Sequence, residues 1–171
     1  FPTRRSSDLT IHSLFKLPFG NVDVRALKLD KKTREILGSL DALVIDEISM
    51  VRADVMVGID YLLKMAKKSV RPFGGVQMIM FGDLYQLPPV MNDHELESVY
   101  REAWGGYYFF HAPMWRQAKL YTYELCEVFR QKDEDFKKIL DAIRSGEVSY
   151  ELLTILNKQM INGEINGEKI I

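Results

Sequence analysis

The apolar positions of this chain fall into short continuous runs and into longer stretches at helical spacing, punctuated by Gly and Pro. Residues 43–50, LVIDEISM, open as an apolar run and stop at two adjacent carboxylates, Asp46 and Glu47, followed by Ser49. Such a run predicts a buried strand that delivers the acids to its C-terminal end, where open α/β sheets place ligands. Residues 76–81 repeat the arrangement and deliver Gly82, Asp83 and Gln86 at their tip. Pro88 and Pro89 then prevent helix formation and stiffen the exit of the chain. Between the two strands, residues 54–68 carry Val55, Ile59, Leu62, Leu63 and Ala66 on one side and close with Lys64, Lys67 and Lys68. That pattern predicts an amphipathic helix whose terminal lysines complement its dipole.

The same reasoning predicts helices over residues 28–40, 94–104, 133–144 and 149–160, and a third, alternating strand over 119–125. Residues 10–15 read as a loop entering a helix, and 17–21, with Pro18 and Gly20, as a turn. Two Asn-Gly steps in residues 162–171 read as a hairpin.

Composition narrows the function classes. At 171 residues, 47% hydrophobic and 27% charged, the chain suits a single globular domain. A net charge of -1 gives no global case for nucleic acid, so any such surface is a local patch. The single cysteine, Cys126, excludes an internal disulfide and suits a reducing compartment. His12, His94 and His111 are too scattered for a zinc site. No apolar run reaches the roughly 18 residues of a membrane helix, and the expectation is a cytoplasmic protein. The first nine residues, FPTRRSSDL, lack an initiator Met and any hydrophobic period. They resemble the translation of a sequencing-adapter oligonucleotide joined to a truncated gene, and are set apart from the fold.

The candidate chemistry centres on the two strand tips. Phosphoryl transfer needs a divalent metal to neutralise the triphosphate and a group to orient the nucleophile, and adjacent carboxylates can divide those tasks. Asp46 would hold Mg²⁺ and Glu47 would polarise the attacking water; the plain alternative is a solvated turn at a strand end. Gln86, on a proline-stiffened loop, suits sensing a terminal phosphate, or else caps a strand. Arg130, between a strand and a helix, can reach across a cleft to a γ-phosphate with its planar guanidinium, or pair with Asp133 or Glu134. Tyr107, Tyr108 and Trp115 can stack on bases, although such clusters are more often core.

Four strings, TIHSLF, LVIDEISM, FGGVQMIMFGDLYQLPPV and VFRQKDEDFKKILDAIRSG, stand in the order and approximate spacing of the RecD/PIF-type superfamily 1 DNA helicases. Together they span residues 10–146, and the chain resembles the bacterial PIF-like members. The resemblance implies a partial RecA-like P-loop NTPase domain of α/β class, a parallel sheet with flanking helices truncated at both ends. Residues 1–9 would be the adapter-like tail, 10–130 part of the first RecA-like domain, and 131–171 a helical segment leading toward the second. It implies ATP and Mg²⁺ as cofactors and single-stranded and forked DNA as partners. Asp46 and Glu47 match the Walker B pair, Gln86 the motif III glutamine and Arg130 the motif IV arginine. His12 and Ser13 match the segment near motif Ia, close to DNA.

No GxxxxGK[ST] occurs in the 171 residues, so the phosphate-cradling loop is expected upstream in an intact parent, and this piece alone is expected not to hydrolyse ATP. Without the phosphate-loop strand, residues 76–81 are expected to keep one unpaired edge and 119–125 to lose their neighbour. Exposed apolar surface and a tendency to associate should follow. A non-catalytic nucleic-acid-binding module and another phosphate-loop ATPase of DNA repair or transposition are the competing readings.

Overall fold

A computed structural model of the chain describes residues 9–127, 133–147 and 149–161. Arg130 and the hairpin expected over 162–171 lie outside the described residues. The chain divides into two compact units, the first ending at Tyr121 and the second beginning at Thr122.

In the first unit, helix α1 (Ile11–Phe15) opens on Thr10, whose hydroxyl accepts from the Ser13 amide. Helix α2 (Lys31–Gly38) is capped by Asp30. Strand β1 (Ala42–Ile45) leads through a single turn of 3-10 helix, Ile48–Met50, into helix α3 (Ala53–Lys67). Strand β2 (Gln77–Met80) follows, then helix α4 (His94–Trp104). The strands pair in parallel, with Ala42 opposite Gln77 and Ile45 opposite Met80.

The core lies between one sheet face and α3. Leu43 and Ile45 join Val55, Met56, Ile59, Leu62 and Leu63 of α3 in one apolar cluster, with Met78 and Met80 packed against it. Each such aliphatic side chain gains about 1.5–3 kcal/mol over exposure. The opposite face presents Val44, Ile79 and Phe81 to solvent, and neither outer edge of the pair bonds to another strand among the described residues. Among the described residues, β2 thus keeps the one unpaired edge expected for residues 76–81.

The sharp return from α3 into β2 explains the sequence PFGG. Phe73 and Gly74 both adopt left-handed backbone, φ 52° and 65°. A Cβ on Gly74 would stand 2.6 Å from the Leu63 carbonyl oxygen. Buried Asp60 accepts the Phe73 amide at 2.6 Å and pairs with Lys64 at 2.7 Å.

The third strand expected from the sequence does not form. Residues 119–125 form no strand, and Leu120, Tyr121, Tyr123 and Leu125 are exposed. Alternation alone cannot make a strand, because an extended backbone needs a neighbour to take its N–H and C=O groups. The second unit holds helix α5 (Glu134–Ser145), started by the Asp133 carboxylate and closed by Gly146 at φ 74°, and helix α6 (Tyr150–Ile161).

Candidate active site

The two strand tips are joined by backbone. The Phe81 amide donates to the Ile45 carbonyl at 2.9 Å, and the Ile48 amide donates to the Phe81 carbonyl at 2.8 Å. Gly82 lies so close to this turn that a Cβ there would meet Ile48 Cγ2 at 2.8 Å and the Ser49 amide nitrogen at 3.1 Å. Only glycine permits that approach. The acids of the first tip and the polar loop of the second thus share one end of the sheet.

Within the acidic turn, Asp46 and Glu47 are both exposed. Asp46 Oδ1 accepts the Glu47 amide at 2.9 Å. Glu47 itself sits in left-handed backbone, φ 52° and ψ 44°, a conformation costing a non-glycine residue roughly 1–2 kcal/mol. Such strain clusters at functional turns. Ser49 is 1% exposed, and its hydroxyl finds no hydrogen-bond partner among the described residues.

On the second tip, Asp83 organises the loop. Its carboxylate accepts the Tyr85 amide at 3.0 Å and the Gln86 side-chain amide at 3.3 Å, and its carbonyl accepts the Gln86 backbone amide at 3.1 Å. Gln86 is exposed on this tethered loop.

Among the described residues, no group of three or more His, Cys, Asp or Glu side chains could hold a metal by itself. Mg²⁺ is commonly held by one or two carboxylates, with phosphate oxygens and water completing its shell. The exposed Asp46–Glu47 turn suits that kind of site and does not suit an all-protein cage.

His12 and Ser13 lie on α1, a separate element; Ser13 is exposed, and the His12 ring stacks on Phe19. Of the aromatic candidates, Trp115 packs against the core cluster, as does Phe109, and its indole donates to the Phe109 carbonyl at 2.6 Å. Tyr107 and Tyr108 are half-buried and stacked on each other, and Tyr108 bridges in antiparallel fashion to Arg52.

The family model described as "PIF1-like helicase" matches residues 6–153. This chain belongs to the PIF1-like helicase family. An ATP-dependent DNA helicase PIF1 of Emericella nidulans is 32% identical over 145 residues, covering 82% of this chain and 18% of the relative. The crystal structure of a Pif1 helicase from Bacteroides in complex with ADP-AlF3 and ssDNA matches with a TM-score of 0.85 at 35% identity, over 94% of this chain and 38% of that one. A structure of two coordinating Pif1 helicases unwinding forked dsDNA matches with a TM-score of 0.82 at 37% identity, over 88% of this chain and 37% of that one. The chain therefore spans less than two-fifths of these solved helicases and under one-fifth of the fungal relative.

In this PIF1-like chain one buried polar network escaped the sequence reading. Asp54, 1% exposed, accepts Arg52 Nε at 2.9 Å, Arg52 Nη2 at 2.7 Å and the Val22 amide at 2.8 Å. Arg52 also donates to the Gly20 carbonyl, and the Tyr100 hydroxyl donates to the Asn21 side chain. Asp54 and Arg52 thereby tie the 20–22 loop to the start of α3. No local signal marks Asp54, because its loop partner is 32 residues away.

Burial of Tyr100, reinforced by the Asp54 charge, raises its phenol well above the ordinary value of 10. The folded protein then keeps the proton where the unfolded chain releases it. This contribution to stability is complete below pH 10 and is lost as pH rises toward the folded-state value. Melting temperature should fall between about pH 9 and about pH 11 more steeply for the native protein than for Tyr100→Phe. Equal slopes would show that Tyr100 ionises freely in the folded state.

Proposed function

We propose that the protein carrying this chain is an ATP-dependent DNA helicase that moves 5′ to 3′ on single-stranded DNA and separates duplexes at forks. The observation that supports this reading is the shared sheet end. An exposed, strained Asp46–Glu47 turn is locked by backbone bonds to the tip that carries Gln86. The relatives' ADP-AlF3, ssDNA and forked-DNA complexes are consistent with it.

In this reading residues 10–130 belong to the first RecA-like domain and 131–171 lead toward the second. ATP with Mg²⁺ supplies the phosphoanhydride bond whose cleavage drives translocation. Asp46 would hold Mg²⁺, which would neutralise phosphate charge, and Glu47 would orient and deprotonate the attacking water. Gln86, held by Asp83, contacts the terminal phosphate and links it to the DNA side. Arg130 spreads positive charge over the transferred group. His12 and Ser13 lie along the DNA. The 171 residues contain no GxxxxGK[ST], and this reading requires the full-length protein to supply a phosphate loop. A cytoplasmic enzyme serving DNA repair, recombination or telomere-like maintenance completes the proposal.

The test uses the full-length protein. Single-stranded DNA should stimulate ATP hydrolysis, and duplexes with a 5′ tail should be unwound in preference to those with a 3′ tail. DNA binding without hydrolysis would favour the non-catalytic module. Hydrolysis indifferent to DNA would favour another phosphate-loop ATPase.

A further inference from the structure

Phe19 is 94% exposed, the highest exposure among the large apolar side chains of the described residues. A phenyl ring left in water at a turn tip gains nothing from burial in the fold. Its surroundings are nevertheless highly ordered. The ring lies nearly parallel to the His12 imidazole, with centroids 5.8 Å apart and planes inclined by 8°. Leu17 and Val22, which flank the tip in the chain, are buried. The Leu17 amide donates to the His12 carbonyl at 3.1 Å. Gly20, at φ 94°, turns the chain just beyond the ring, and its carbonyl is fixed by Arg52 while Asp54 fixes the Val22 amide.

This arrangement places a buried ion pair beneath a loop whose outermost group is an aromatic face. A ring stacked on one neighbour and otherwise in water leaves an open face on which a planar ligand can stack. Every nucleobase offers such a face, and aromatic stacking is the sequence-tolerant element of single-strand binding. We infer that Phe19, stacked on His12, is a base-stacking platform for single-stranded DNA. The inference rests on the DNA-binding reading above and adds to it a residue and a mode of contact. Lys16, exposed on the same loop, supplies a cation for the phosphate backbone.

The test compares native full-length protein with Phe19→Ala and Phe19→Trp, binding a fluorescently labelled oligothymidine and the same strand carrying abasic sites. Phe19→Ala should weaken oligothymidine binding about 5- to 100-fold, Phe19→Trp should restore it, and the melting temperature should not move. Abasic sites should weaken the native protein more than Phe19→Ala. The native-to-variant ratio should hold from low to high salt, because stacking releases no counterions. Unchanged binding by Phe19→Ala, with native protein bound, would overturn the platform and leave the helicase reading standing. A fall in melting temperature for Phe19→Ala would also overturn it, since the ring would then pack against protein. Native protein that fails to bind oligothymidine would overturn both.

Discussion

Glu47→Gln in the full-length protein should lower ATP turnover by about 10²- to 10⁴-fold, the range contributed by a positioned general base, while nucleotide binding persists. The substitution keeps the size and hydrogen-bonding reach of the side chain and removes its capacity to take a proton. It also leaves Asp46 intact, so the group proposed to hold the metal is untouched. The left-handed backbone at Glu47 sharpens the expectation, because a strained turn persists only where its surroundings hold it. Here the bonds from Ile48 to Phe81 and from Phe81 to Ile45 do so. Single-turnover hydrolysis with a fluorescent nucleotide separates the two quantities. Unchanged turnover would remove Glu47 from the chemistry, and lost binding would reassign it to holding the nucleotide.

The largest expected effect on stability belongs to Asp54→Ala. The change leaves Arg52, whose side chain is 17% exposed, and the Val22 amide without their shared acceptor. Breaking a buried pair from one side costs about 3–5 kcal/mol, on the order of 10 °C in melting temperature for a chain of this size. Replacing both charges, as in Arg52→Met with Asp54→Leu, should cost less than Asp54→Ala alone, because no buried charge is then stranded. Thermal and urea unfolding of the single and double variants would read this directly. A loss below about 1 kcal/mol for Asp54→Ala would place the pair in the class of surface ion pairs and remove the support argued for the Phe19 loop.

The local part of the fold was legible from residue pattern. The α4 boundaries at His94 and Trp104 match the expectation, because an Asp93 cap and a Gly105–Gly106 stop are local chemistry. The strand β1 and its acids were legible because an apolar run ending in Asp-Glu needs no distant residue to be recognised. The expected strand over 119–125 was not a strand, since β structure depends on a partner that pattern cannot supply.

The order and spacing of the four strings were enough to point to the PIF1-like helicases, which the match over residues 6–153 then showed. Tertiary structure alone decided the rest. It set the register of Ala42 on Gln77, the close seat of Gly82 on Ser49 and the left-handed turn at Glu47. It also buried Asp54 against a loop 32 residues away and left Phe19 in water. Periodicity records which face of an element is apolar, whereas these features arise from which elements meet, and a linear pattern does not carry that information.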